Sequence, residues 1–224
     1  LKVDKSLDYF KNKIGEAELQ EGHFDSPYNL SERLRIFLPD DITAITCLDD
    51  KRAASQIVLT LREIVLPQQR KALVLFTSNR LLEEVHNQLK NVVSAEFAGT
   101  EILAQGFSGS RRRMHNRFMS ADAAILLGSA SYWEGIDFSD QAVEILVITR
   151  LPFDPPHRPE NVAFQAYHQD QGKKAFYEEF LPRAMIRLKQ GIGRLVRSRN
   201  ARGVVICLDD RLIKSNYSKR MQLM

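Results

Sequence analysis

Two arginines that lie three residues apart are the strongest candidates for chemistry in this 224-residue sequence. Arg194 and Arg197 belong to the segment 190–197, QGIGRLVR, which follows an amphipathic stretch and precedes an apolar run. On a helix, this spacing places both side chains on one face. Phosphoryl transfer needs positive charge at the γ-phosphate in the transition state, and Gly191 and Gly193 let the backbone approach a ligand closely. The segment therefore predicts a phosphate-facing pair, and the alternative is a basic helix turn with a structural role.

The elements that must position these residues follow from short apolar runs. Runs at 72–76, 123–127, 143–148 and 203–208, with a weaker one at 93–97, are typical of buried strands. They alternate with amphipathic segments, which predicts an α/β fold: a parallel sheet of about five or more strands with helices on both faces.

Helix boundaries are indicated by capping residues and prolines. Apolar spacing predicts a helix over 79–90 that Ser78 or Asn79 caps, and an arginine-rich helix that Ser108 or Ser110 caps. A further periodic segment, 55–66, ends at Pro67. Pro182 is expected in the first turn of a helix, because an interior proline would break it.

The domain organisation is expected to be simple. Residues 1–50 are more irregular and are interpreted as a lead-in from an upstream domain, whereas residues 51–224 are expected to form one globular domain. Both ends of the sequence suggest that it is part of a longer protein.

Composition excludes several classes of protein. The sequence is 44% hydrophobic and contains no apolar run of the roughly 18–20 residues that cross a membrane. We therefore expect a soluble protein of the cytoplasm, probable location being the bacterial cytosol, with no membrane partner. Cys47 and Cys207 each lie in an apolar run, which predicts two buried small side chains and neither a disulfide framework nor a metal site.

The formal net charge of +4 is modest, but the basic residues are clustered. No acidic residue occurs between Glu179 and Asp209, and a second basic group lies on the arginine-rich helix. These residues either form a nucleic-acid surface or are simply solvated helix faces. They are Arg183, Arg187, Lys189, Arg194, Arg197, Arg199 and Arg202 in the first group, and Arg111, Arg112, Arg113 and Arg117 in the second.

Three ordered motifs resemble those of superfamily 2 helicases. Segment 190–197 resembles motif VI, segment 128–137 (GSASYWEGID) resembles motif V, and segment 75–79 (LFTSN) resembles motif IV. The string LPRAMIRLKQ at 181–190 is similar to the DinG branch of the XPD-like helicases. The resemblance implies a RecA-like second motor domain of an ATP-dependent DNA helicase with 5'-to-3' polarity.

The resemblance also implies roles for individual residues. Gln190, Arg194 and Arg197 would face a nucleotide held by the first motor domain, and the two arginines would act as fingers on the γ-phosphate. The residues that would couple the nucleotide site to DNA are Glu134, Gly135 and Asp137. The residues that would contact single-stranded DNA are Thr77, Ser78 and Asn79 at a helix start, with Trp133 stacking on a base. The alternatives are a simple helix cap for the first three and core packing for Trp133.

The sequence lacks the glycine-rich phosphate loop that such motors need. Its one Gly-Lys pair, Gly172-Lys173, is followed by Lys174 and does not match that loop. ATP and Mg²⁺ are therefore expected to be held mainly by the first motor domain, and this chain alone is predicted to be inactive. The family's iron-sulfur cluster takes four cysteines from the first motor domain, so it is not expected in this chain.

Two other functions stay open at this point. Some DinG-like proteins of Gram-positive bacteria resemble a fusion of an exonuclease with this motor, and the motor would then regulate the nuclease. The chain could also be a nucleic-acid-binding module that lost ATP hydrolysis. A phosphate loop or an exonuclease signature upstream would distinguish the three functions.

Overall fold

The computed structural model describes residues 7–15, 22, 30–97, 99–133, 143–195 and 201–222. Within these residues, six strands form one sheet in which every neighbouring pair is parallel. The predicted α/β class with a parallel, RecA-like sheet is confirmed. The strands are β1 (Leu34–Phe37), β2 (Lys71–Leu75), β3 (Glu101–Ala104), β4 (Ala124–Gly128), β5 (Ile145–Ile148) and β6 (Gly203–Cys207), in the spatial order β1-β6-β5-β2-β4-β3.

Helices connect the strands. The described helices are α1 (Asp8–Ile14), α2 (Leu30–Arg33), α3 (Asp50–Thr60), α4 (Asn79–Glu96), α5 (Arg111–Ser120), α6 (Ala130–Trp133), α7 (Pro159–Asp170), α8 (Leu181–Ile192), α9 (Arg211–Lys214) and α10 (Ser218–Gln222). Short 3-10 turns occur at Ile45–Cys47 and Leu66–Gln68, and π-helical turns at Leu61–Val65 and Phe176–Phe180. No described helix is long and apolar enough to cross a membrane.

The chain divides into two compact units. The sheet unit takes its described residues from 28–150 and 191–210, and it contains all six strands. The helical unit takes its described residues from 1–27, 151–190 and 211–224. The sites discussed below each lie within one unit.

The core of the sheet unit forms on both faces of the central strands. Ala72 and Val74 of β2 face one side with Leu81 and Val85 of α4, and all four side chains are fully or almost fully buried. Helix α3 adds its own apolar face to this layer. On the other side, Leu73 and Leu75 of β2 are also completely buried. Such near-continuous apolar strands are typical of parallel sheets that are covered on both faces.

Helix starts follow the capping predictions closely. The Ser78 hydroxyl accepts a hydrogen bond from the backbone N–H of Leu81 (3.3 Å), and the Ser110 hydroxyl accepts one from Arg113 (3.3 Å). Of the alternatives left open, Ser78 and Ser110 are thus the caps of α4 and α5. Pro182 is the second residue of α8, so its predicted place in the first turn is confirmed.

The predicted strand at 93–97 is wrong. Val93 continues the buried stripe of Val85 and Leu89 at a spacing of four, so this apolar run extends α4 to Glu96. The strand in this part of the chain is β3, and it follows a short turn. A brief apolar run by itself cannot distinguish a strand from the last turn of a helix.

Two further differences concern residues 1–50. Residues 34–37, assigned to an irregular lead-in, form the edge strand β1, which pairs in parallel with β6. Its side chains are mostly exposed, so it lacks the apolar pattern of a central strand. Cys47 was expected to be buried and is exposed, because it ends a 3-10 turn, whereas Cys207 on β6 is buried as predicted.

Gly128, the last residue of β4, packs against the ring of Tyr132. A Cβ atom at this position would lie 2.4 Å from Cγ of Tyr132 and 2.5 Å from its Cβ. Tyr132 is 1% exposed and belongs to the short helix α6, so the ring has little room to move away. Glycine is therefore required where β4 turns into α6.

We predict that Gly128→Ala lowers the free energy of unfolding by about 1–3 kcal/mol, the usual cost of forcing extra volume into a packed core. Urea denaturation of the 224-residue chain measures this change. In a Tyr132→Ala background the same substitution should cost much less, because the clashing ring is gone. An equal cost in both backgrounds would contradict this account of the packing.

Candidate functional site at the carboxyl edge of the sheet

All strands end at the same edge of the sheet, so the segments that follow β2, β3 and β4 meet there. The hydroxyl of Ser129, after β4, donates a hydrogen bond to Oδ1 of Asn79 at the start of α4 (2.5 Å). The backbone N–H of Ser129 donates to Oε1 of Gln105, which follows β3 (2.8 Å). These contacts join segment 75–79, segment 128–137 and the LAQG sequence at 103–106 into one polar cluster.

The predicted phosphate-contacting trio is divided between two roles. Ser78 caps α4, as described above, whereas Thr77 and Asn79 are exposed at the helix start. Because one cap satisfies only one of the unpaired N–H groups of the first turn, a capping role and a phosphate-binding role are compatible here.

Trp133 lies in the core of the sheet unit. Its side chain is 3% exposed, and its indole N–H donates a hydrogen bond to the backbone oxygen of Phe76 (2.9 Å). A ring buried to this extent offers no open face to a base. Of the two interpretations of Trp133, core packing is therefore the one that this structure supports, and the predicted stacking contact is not present in it.

Tyr132, next to this tryptophan, is a buried phenol beside a cation. Burial raises the pKa of Tyr132, and the nearby positive charge of Arg111 acts in the opposite direction. The Arg111 guanidinium lies 5.7 Å from the Tyr132 ring centre and donates to the backbone oxygen of Ser131 (3.1 Å). One residue of the basic group on α5 is thus fixed against the segment 128–137.

Gly191 joins the turn before Arg194 to the same core. A Cβ atom on Gly191 would come within 3.2 Å of the Trp133 ring and 3.4 Å of the Leu75 side chain. The close backbone approach predicted for this glycine is therefore an approach to Trp133. The N–H of Arg194 donates to the oxygen of Gly191 (3.3 Å), which closes a tight turn at the end of α8.

The predicted nucleotide-facing residues differ in their exposure. Gln190 and Gly193 are exposed, but Arg194 is only 6% exposed, whereas a finger residue was expected at the surface. The difference arises because the chain turns directly after α8 and carries Arg194 inward. Four other predicted site residues lie outside the described residues: Glu134, Gly135, Asp137 and Arg197.

With this geometry described, the comparison with known proteins is decisive. The sequence model of the family described as the helicase C-terminal domain matches residues 61–223. The chain belongs to this family. The resemblance inferred from the motifs is confirmed: the chain is a C-terminal helicase domain of the DinG/XPD-like type.

The relatives agree with this assignment. The chain is 32% identical over 222 residues to the 3'-5' exonuclease DinG of Bacillus subtilis (strain 168) and 29% identical over 218 residues to that of Staphylococcus aureus (strain MRSA252). It covers 98% and 97% of itself in these two comparisons but only 24% of each relative, so it spans about a quarter of their length.

Two solved structures have a similar fold. An XPD helicase superimposes with a TM-score of 0.58 at 17% identity, over 95% of this chain and 36% of the other. An apo XPD structure gives 0.56 at 16% identity, over 95% and 41%. At these identities the comparison supports the fold of the helicase C-terminal domain and nothing finer.

The basic stretch before Arg194 is less exposed to a polyanion than its sequence indicates. Within the helical unit, Arg183 contacts the carboxylate of Glu179 (2.5 Å), and Arg187 contacts Asp154 (2.5 Å). Both acids precede the stretch in sequence, but the fold returns them to it. On α5, Arg117 pairs with Glu101 (2.5 Å), whereas Arg112 and Arg113 are exposed.

Three residues that the sequence analysis did not select also lie at the carboxyl edge: Asp50, Arg80 and Arg150. Arg150 comes two residues after β5, so its position directly after a predicted strand was a usable signal. The contact of Asp50 with both arginines depends on where α3 packs, and no local pattern predicts it.

We predict that the fluorescence of Trp133 reports a buried indole. Because it is the only tryptophan, intrinsic emission comes from this residue alone. Acrylamide should quench it poorly in the folded chain, and saturating single-stranded DNA should leave it nearly unchanged. Denaturation in urea provides the exposed reference. Strong quenching by DNA in the folded chain would restore the stacking interpretation.

Proposed function

We propose that this chain is the second motor domain of an ATP-dependent DNA helicase, in which it supplies arginine fingers to ATP held by the first motor domain and grips single-stranded DNA. The observation that supports this most is the meeting of segments 75–79, 128–133 and 191–194 around Trp133. A nucleotide contact and a DNA contact built on these segments would share one rigid core. The 5'-to-3' polarity follows only from the family resemblance.

In this proposal each motif has a distinct task. Arg194 and Arg197, with Gln190 and Gly193 beside them, would stabilise the charge that develops on the γ-phosphate. Glu134, Gly135 and Asp137 would link that event to the DNA groove. Thr77 and Asn79, both exposed, would bind backbone phosphate together with free N–H groups of α4.

ATP and Mg²⁺ are assigned mainly to the first motor domain. The described residues contain no group of three or more His, Cys, Asp or Glu side chains placed to hold a metal ion. We therefore route no step of the reaction through a metal bound by this chain. The iron-sulfur cluster of the family is assigned elsewhere for the same reason, and the cytoplasm is the proposed location.

A second function is favoured by the names of the relatives. The proteins from Bacillus subtilis and Staphylococcus aureus are described as 3'-5' exonucleases, and this chain matches only a quarter of each. In such a protein, this domain would regulate or position a nuclease instead of driving unwinding. A binding module without ATP hydrolysis is the third possibility, and the experiments below distinguish the three.

We predict that Arg194→Lys or Arg197→Ala in the intact protein lowers DNA-stimulated ATP turnover by a factor on the order of 10³, the lower range for loss of an arginine finger. ATP binding should weaken far less, because the charge is needed most in the transition state. Lysine should rescue poorly at Arg194, since an ammonium group does not reproduce the planar guanidinium fork. Steady-state ATPase kinetics measure both effects.

Stability must be controlled differently at the two positions. Arg194 is buried, so Arg194→Ala is expected to lower the free energy of unfolding by about 0.5–3 kcal/mol, and thermal melts must accompany it. Arg194→Lys retains the charge and most of the stem and is the better probe. Near-wild-type turnover in both variants would favour the regulatory or binding-module function.

We also predict that the 224-residue chain alone binds ATP weakly or not at all, because its sequence contains no phosphate loop. Isothermal titration with millimolar ATP and magnesium measures this. A micromolar dissociation constant accompanied by ATP hydrolysis would refute the two-domain proposal. A well-folded chain, verified by its thermal melt, is the necessary control.

A further inference from the structure

The crevice between the carboxyl ends of β2 and β5 is the point at which the sheet's connections diverge. The chain leaves β2 towards β3 on one side and leaves β5 towards β6 on the other, as the strand order requires. In open parallel sheets such a switch point is where ligands bind. Here it is bordered by the start of α4 after β2 and by Thr149 and Arg150 after β5.

Two arginines and one carboxylate occupy this position. Nε of Arg80, in the first turn of α4, lies 3.3 Å from Oδ2 of Asp50. Nη2 of Arg150 lies 4.0 Å from Oδ1 of the same carboxylate. Two positive charges and one negative charge leave a net charge of +1, so one carboxylate only partly neutralises the pair.

Arg150 is held in place more firmly than its ion pair alone would require. Its Nη2 donates to the backbone oxygen of Ile45 (3.3 Å), and its side chain is 23% exposed. Its buried Nε–H has no hydrogen-bond partner among the described residues. A guanidinium group with an unused donor and a loose 4.0 Å contact to a carboxylate can accept a better anionic partner.

Arg80 has the opposite character. Its side chain is 85% exposed, whereas that of Asp50 is 30% exposed. The arginine pair therefore extends from a partly buried anchor to an open surface. This arrangement fits a chain of phosphates that runs across the surface better than a small anion enclosed in a cavity.

We propose that Arg80 and Arg150 bind a backbone phosphate of single-stranded nucleic acid, and that Asp50 occupies the arginines in its absence. The inference rests on the proposed function, which it deepens by naming a phosphate site and an internal competitor for it. A phosphodiester presents two acceptor oxygens to the guanidinium groups and replaces the carboxylate. Asp50 therefore sets a threshold that nucleic acid must exceed.

The chain contains a matched control for this competition. Glu144 precedes β5 at the opposite edge of the sheet, where its Oε1 lies 2.6 Å from Nη1 of Arg70. Its side chain is 32% exposed, close to the 30% of Asp50. Asp50→Asn and Glu144→Gln each remove one negative charge beside an arginine, but only the first does so at the switch point.

The test measures binding of a fluorescent oligothymidylate to the 224-residue chain by anisotropy, over a series of salt concentrations. Asp50→Asn should tighten binding about 2- to 5-fold relative to Glu144→Gln, the range expected for one exposed ion pair. The salt slope of log K should steepen by about 0.7, the value for one more phosphate contact on a single strand. In an Arg80→Ala/Arg150→Ala background, Asp50→Asn should give no more than Glu144→Gln gives.

The outcomes separate the inference from the function on which it rests. Measurable binding by the wild type with equal effects of Asp50→Asn and Glu144→Gln overturns the phosphate site and leaves the proposed function intact. No binding by the wild type or by Asp50→Asn at low salt, with normal thermal melts, overturns both. If ATP displaces the oligonucleotide from Asp50→Asn at micromolar concentration, the site takes a nucleotide phosphate and the nucleic-acid assignment is wrong.

Discussion

The parallel pairing of β2 with β4 and β5 is the constraint on which the candidate site depends. Parallel strands end at one edge, so the loops that follow them are brought together by the backbone ladder itself. The ladder continues past the strand ends: the N–H of Phe76 donates to Gly128 (2.8 Å) and that of Thr149 donates to Leu75 (3.2 Å). Main-chain hydrogen bonds therefore place the first residue of each loop before any side chain contributes.

On this edge, Trp133 converts adjacency into a rigid connection. Its indole N–H binds the oxygen of Phe76, and its ring packs beside Gly191. One buried side chain thus contacts the segments that follow β2 and α8 while it belongs to the segment that follows β4. A shift of any of these segments would break a buried hydrogen bond or open a gap in the core, each of which costs free energy. The tryptophan is a structural residue whose position makes it relevant to function.

The sequence predicts the central features of the fold because they have strong local causes. Continuous apolar runs identify β2, β4, β5 and β6, and serine caps identify the starts of α4 and α5. The edge strand β1 and the strand β3 escape prediction because each is four residues long and partly exposed. The site is predicted less completely: Ser78 and Gly191 have local signatures, whereas the inward turn of Arg194 and the contact of Asp50 with two arginines depend on tertiary packing.

The distribution of charge shows why sequence alone overstates a nucleic-acid surface. The stretch after Glu179 contains no acid until Asp209, yet Arg183 binds Glu179 itself and Arg187 binds Asp154. Glu179 is 3% exposed, and such a buried carboxylate needs its cations, so Arg183 is not readily given to another anion. An ion pair at the surface, such as that of Arg80 with Asp50, is worth little and exchanges easily. The affinity of this domain for a phosphate chain is therefore governed by which carboxylates it must displace, and the count of basic residues is a poor guide to it.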